Sequence, residues 1–180
     1  MNQAVTQGAV PAPMQIVLGV DPGFSVTGFA LVAKAQRITV LDCGYLKMSA
    51  QKTLSQRTGQ FYAFFQQKII EHHVTHVALE TSFLGKNAQT FLKLGFLRGI
   101  LFLLADQHNL VLSEFAPREV KLAVTGSGAA SKDQVADMMM RLFPTLATLP
   151  QVERADATDA LAVALCGLWN QQSYLQRLGK

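Results

Sequence analysis

The sequence predicts an α/β fold: a mixed five-stranded sheet flanked by helices on both faces. Three observations predict it. Three strand-like runs stand at the front of the chain with breaks short enough for hairpins. Helical and strand patterns then alternate, the order of parallel crossover connections. The first run, IVLGV at 16–20, is apolar without interruption, as in a central strand.

The elements follow in order. The run at 16–20 stops at Asp21-Pro22-Gly23, where proline and glycine break the pattern. GFALVA at 28–33 and RITVLDCGYLK at 37–47 complete an antiparallel meander. Over 53–72, Leu54, Phe61, Phe64, Phe65, Ile69 and Ile70 fall mostly three or four residues apart and predict a helix. THVALE at 75–80 is the fourth strand, 87–107 a long helix and LVLSEF at 110–115 the fifth strand. Shorter helices are predicted over 117–124, 131–142 and 154–169. If the first and fourth strands are parallel neighbours, Asp21 and Glu80 end on the same edge of the sheet, where open α/β sheets bind ligands.

With 180 residues, 49% hydrophobic and 16% charged, the chain has material for one core, assigned to 16–170. Residues 1–15 hold no charged side chain and two prolines, and are expected to be a flexible tail rather than a secretory or transit signal; 171–180 form a C-terminal tail. The most apolar window, 88–105, is interrupted by Lys93 and Arg98 and is too short to span a bilayer between them. Cys43 and Cys166 lie in apolar segments without a Cys-x-x-Cys pair and read as reduced core thiols, as in a cytoplasmic protein. His72, His73, His76 and His108 lack zinc-ligand spacing and read as exposed helix-end residues.

The chemistry lies in the acids. Asp156 and Asp159, three apart at the start of a helix, project in nearly one direction. Acids in a first turn also suit the helix dipole with no further role, and Asp21 also serves as a turn starter before Pro-Gly. Brought together with Asp21 and Glu80, however, four carboxylates repel unless divalent cations neutralise them. Two hard cations on Asp and Glu oxygens are the apparatus of phosphodiester hydrolysis. The net charge is +4; the twelve acids less these four leave eight against sixteen bases, a surface suited to a polyanion. A metal-dependent nuclease is the leading reading.

Four ordered blocks then converge on a family. LGVDPGFSVTG (18–28), ALETSFLGKNAQTFLKLGFLRG (78–99), EFAPREVKLAVTGSGAASKDQV (114–135) and RADATDALAVAL (154–165) resemble the RuvC-type Holliday-junction resolvases. The resemblance covers roughly residues 16 to 167. It implies a ribonuclease-H-like fold, a homodimer, and Mg²⁺-dependent nicking of two like-polarity strands at a four-way DNA junction, with Mn²⁺ as a substitute metal and a branch-migration helicase as partner. Asp21, Glu80, Asp156 and Asp159 match the acidic tetrad that holds two metal ions. Lys121 and Lys132 match basic residues near the cut strand, and Phe83 matches an aromatic that probes junction bases; Lys86 and Asn87 beside it are further candidate DNA contacts. Phe91, Leu94, Gly95, Arg98 and Gly99 fall in the long helix used at the subunit interface. The chain departs from many relatives at Phe24-Ser25 and at Leu84-Gly85.

The residues alone leave alternatives. Phe83 by spacing suits core packing as well as base stacking, and either lysine alone reads as a surface residue. The apolar helix at 87–107 needs either its own sheet or a second subunit to cover it. The L-G-x-D-x-G string also resembles the phosphate-binding opening of the actin, sugar-kinase and Hsp70 superfamily, which needs two such lobes. A junction-binding module without catalysis, or another ribonuclease-H-like nuclease, are the other readings.

Overall fold

The computed structural model describes residues 14–81, 88–144, 146 and 155–178, with the side chains of the last helix described over 157–170. The expected tail at 1–15 lies almost wholly outside the described residues. The strands are β1 (Gln15–Asp21), β2 (Val26–Lys34), β3 (Ile38–Lys47), β4 (His76–Glu80) and β5 (Val111–Phe115). The helices are α1 (Leu54–Glu71), α2 (Ala88–Gln107), α3 (Pro117–Thr125), α4 (Lys132–Leu142) and α5 (Ala155–Leu178).

The sheet order is β3-β2-β1-β4-β5. β1, β2 and β3 form the expected antiparallel meander, while β4 and then β5 add in parallel beside β1. One residue disturbs the meander: Leu31 opposes Asp42 and Val32 opposes Val40, so Leu41 is an exposed bulge. α5 runs to Leu178, beyond the 169 that the sequence pattern indicated. His76 is a correction of a smaller kind: it is a half-buried residue opening β4 rather than an exposed helix-end one, with Nδ1 2.7 Å from Thr75 Oγ1.

Strand alternation divides the core. Ile16, Leu18, Val20, Leu31 and Leu79 point to one face, where Phe61, Phe65 and Ile69 of α1 and Leu97, Leu101 and Leu104 of α2 cover them. Val17, Ala30, Val32 and Ala78 point to the other, under Val120 and Val124 of α3, Val135 and Met139 of α4, and Ala160, Leu161, Ala164 and Leu165 of α5. Local signals start the helices where needed. Thr53 and Gln56 make a reciprocal capping box on α1, and Ser131 and Gln134 make one on α4. Pro117 opens α3 and Gly126, at φ 77°, closes it.

α5 lies close against β1 because both surfaces are small. A Cβ on Gly19 would stand 2.4 Å from the Ala160 carbonyl oxygen and 2.5 Å from the Ala164 nitrogen. That contact fixes the height of α5 over the sheet, and so the height of Asp159 over the strand ends. α2, the crossover between β4 and β5, is the one described helix long and apolar enough to span a bilayer. Its burial of Leu97, Leu101, Leu104 and Ala105 against the sheet assigns it to the fold.

Candidate active site

Parity places the first two acids. In β1 the odd positions, Val17 and Gly19, face α5, so Asp21 does too; in β4 Ala78 faces α5, so Glu80 follows. Val20 is in register with Leu79, which leaves Asp21 and Glu80 adjacent at the carboxyl ends of two parallel strands. Asp159, early in α5, comes down over the same edge. Asp21, Glu80 and Asp159 line one cleft of about 150 Å³ with Lys121 of α3 and Lys132 of α4, walled by Pro117, Val120, Val135 and Ala162.

The electrostatics are those of a crowded acidic site. Burial, followed by the negative charges of Asp21 and Asp159, pushes the Glu80 carboxyl up to about 7, against a smaller opposing effect of Lys132 and Lys121. Lys132 Nζ donates to Asp159 Oδ2 at 2.7 Å. This ammonium neutralises one acid where a metal cation would otherwise do so. Hard carboxylate oxygens with excess negative charge suit a divalent cation such as Mg²⁺. Among the described residues no three acids are yet drawn into a single coordination sphere. Asp156 precedes Asp159 by three residues on the α5 backbone, and its side chain lies outside the described ones.

The other predicted residues divide. Phe83, Lys86 and Asn87 lie outside the described residues. On α2, Phe91 and Leu94 are half-buried, and a Cβ on Gly95 or Gly99 would meet open space. Arg98 forms an ion pair with Glu114 of β5 within the same chain. Leu92, Phe96 and Leu103 make an exposed apolar stripe running past both glycines. Sequence reasoning missed Thr27, a buried hydroxyl that donates to the Gly23 carbonyl at 2.8 Å and accepts from the Gly23 N–H at 3.2 Å. Its signal was a threonine closing a Pro-Gly turn, where such hydroxyl bonds are common.

Two acids on adjacent parallel strand ends, a third from the helix laid across them, and two lysines alongside define the class: a nuclease of the ribonuclease-H-like fold. The family model described as crossover junction endodeoxyribonuclease RuvC matches residues 17–167. The chain belongs to that family. A curated relative of that description from Pelodictyon phaeoclathratiforme is 47% identical over 154 residues, covering 85% of this chain and 79% of the relative. Another from Tolumonas auensis is 38% identical over 168 residues, covering 93% and 94%. Thermus thermophilus RuvC in complex with Holliday junction substrate superimposes with a TM-score of 0.78 at 26% identity, covering 88% of this chain and 96% of that one. A yeast mitochondrial Holliday junction resolvase shares the fold, with a TM-score of 0.66 at 14% identity over 94% and 83% of the two chains.

Proposed function

We propose that this protein resolves four-way DNA junctions as a homodimer, nicking two strands of like polarity by Mg²⁺-dependent phosphodiester hydrolysis. The observation that carries the reading is the cleft in which Asp21, Glu80 and Asp159 meet Lys121 and Lys132, in a chain of this family. Asp21, Glu80, Asp159 and Asp156 would hold Mg²⁺, which when bound would supply an activated water and neutralise charge building on the phosphorus oxygens. Asp21, beside Glu80 on the neighbouring strand and in one cleft with Asp159, would be the central acid of that set. Glu80 would give up its proton near neutrality to become a ligand, and Asp159 would bind either beside its Lys132 bond or in exchange for it. The ammonium groups of Lys132 and Lys121, lining the same cleft, would face a scissile phosphate as charge develops on it. Mn²⁺, equally content with carboxylate oxygens, is expected to substitute.

The dimer has its own support. α2 exposes Leu92, Phe96, Phe102 and Leu103 while its glycines leave room for close approach, an apolar stripe that a twofold-related copy fits. Two cleavage sites related by a twofold suit a junction with the same symmetry. A branch-migration helicase is the further partner that family membership suggests, and action on DNA is in keeping with a cytoplasmic site. The test is cleavage of a labelled four-way junction beside a linear duplex of the same sequence, with and without Mg²⁺, using wild type and Asp21→Asn. Paired symmetric nicks that vanish without metal, and fall by roughly a thousandfold in the variant while junction binding persists, are expected. A junction bound but never cut with any metal would make the protein a structural binder.

A further inference from the structure

Arg57 is out of character for its place. α1 buries Phe61, Phe65 and Ile69 at four-residue intervals, and Arg57 heads the same stripe at only 7% exposure. A guanidinium there loses hydration that hydrogen bonds or a counter-charge must replace. Among the described residues no carboxylate pairs with it, and its Nε has no partner. Its polar contacts go to one turn instead. Nη2 donates to the Phe24 carbonyl and lies 3.5 Å from Ser25 Oγ. The guanidinium carbon sits 3.8 Å from the centroid of the Phe24 ring, which Lys93 Nζ approaches to 5.5 Å.

That turn links β1 to β2 directly after Asp21, and three successive carbonyls in it are held from three places. The Thr27 hydroxyl holds Gly23, Arg57 holds Phe24, and the Met48 N–H donates to Ser25 at 2.8 Å. A Cβ on Gly23 would lie 1.9 Å from the Val26 carbonyl oxygen, so the turn is closed tightly on itself. Thr27 lies in the β-meander and Met48 directly after it. Arg57 reaches the turn from a helix on the face of the sheet opposite the carboxylates.

We infer that Arg57 is a positioning residue for the metal site, holding Phe24 by carbonyl and ring so that the turn after β1 keeps Asp21 in place. The Asp21–Gly28 pair is the last of its ladder before the turn, so the placing of Asp21 depends on how that turn is held. The inference rests on the reading of Asp21 as a metal ligand. It gives the α1 face a part in chemistry carried out on the α5 face.

The test uses the full chain with Arg57→Met and Arg57→Lys. It reads Mn²⁺ binding from the electron paramagnetic resonance of the free ion, amide hydrogen exchange across 21–28, and metal-free binding to a four-way junction. Arg57→Met is expected to weaken Mn²⁺ binding roughly tenfold and to speed exchange across 21–28 but not in α5, with junction binding held within about twofold. Arg57→Lys should fall between, and it carries the test alone if Arg57→Met does not fold. Unchanged exchange over 21–28, or faster exchange with wild-type Mn²⁺ affinity, overturns the inference. Loss of junction binding at normal Mn²⁺ affinity also overturns it, making Arg57 a DNA contact. A wild type that binds no Mn²⁺ overturns the metal reading itself, an outcome distinct from variants that match a metal-binding wild type.

Discussion

α2 and α5 are the two most apolar long helices of the molecule, and the fold treats them differently. From Ala157 to Leu168 nearly every described position of α5 is buried, because β1, β2 and β4 lie beneath it and α3 and α4 flank it. α2 has the sheet beneath it and α1 on one side, but Leu92, Phe96 and Leu103 stay exposed, Phe96 at the edge of a groove shared with Leu54 and Thr58 of α1. An apolar helix sealed by its own chain builds a site, whereas one left half open is the surface the proposed dimer would use. The small residues have opposite surroundings accordingly: Gly19 under α5 has no room for a Cβ, while Gly95 and Gly99 on α2 face open space.

Substitution on each helix separates the two cases, and this carries the largest expected effect. Gly19→Val forces branched carbon into the Ala160 and Ala164 backbone and should cost more than about 3 kcal/mol, enough to lose much of a marginal fold. Phe96→Glu should leave the monomer folded and act only on association, raising the dimer dissociation constant by roughly a hundredfold. Thermal unfolding at low concentration and sedimentation at several concentrations read the two effects. A Phe96→Glu chain that stays dimeric would remove α2 from the interface, and a stable Gly19→Val chain would mean that α5 does not sit tightly on β1.

How much of this contrast could be read from residues alone varies by element. The meander and the parallel crossovers followed from run lengths and alternation, which are local properties; the meeting of Asp21 with Glu80 hung on the first and fourth strands being neighbours, which the sheet order supplies. The apolar character of 87–107 was legible too, but not which side stays open, since that depends on which neighbours the topology provides. α5 passes 169 because helix ends reflect packing as well as propensity. Arg57 was invisible as a site residue: an arginine among apolar helix positions gives no sign of the turn it reaches, 33 residues earlier in the chain. The bond from Lys132 to Asp159 likewise spans 27 residues and needs the fold to bring α4 beside α5.

The sealed side also buries charge, and pH should expose its energetic consequence. Glu80 titrates near 7 in the fold against an ordinary value of 4.5, so between those values the folded chain binds more protons than the unfolded one. The sign is therefore destabilising as pH rises: no penalty below 4.5, and a loss of up to about 3 kcal/mol by the time pH has passed 7. Metal-free protein should melt progressively lower across that window, and Glu80→Gln should flatten the trend. Added Mg²⁺ should do the same above pH 7 by stabilising the carboxylate. A melting profile in which Glu80→Gln keeps the wild-type slope would show that the acid is not held in the low-dielectric cleft.

The smallest effect, on metal binding at Lys132, is the most discriminating, because it runs opposite to the effect on cleavage. Lys132 holds Asp159 Oδ2 at 2.7 Å from an exposed position on α4, so a cation that takes that same oxygen displaces the ammonium from it. Lys132→Met removes the competitor and should tighten Mn²⁺ binding roughly threefold, the scale of an exposed ion pair. Cleavage should nevertheless fall by roughly a hundredfold, since the same ammonium is lost from the developing phosphate charge. Asp159→Asn, by contrast, should weaken metal binding and cleavage together. If Lys132→Met weakened Mn²⁺ binding as well, the lysine would be supporting the metal site rather than competing with it, and its bond to Asp159 would be an orienting contact that survives metal entry.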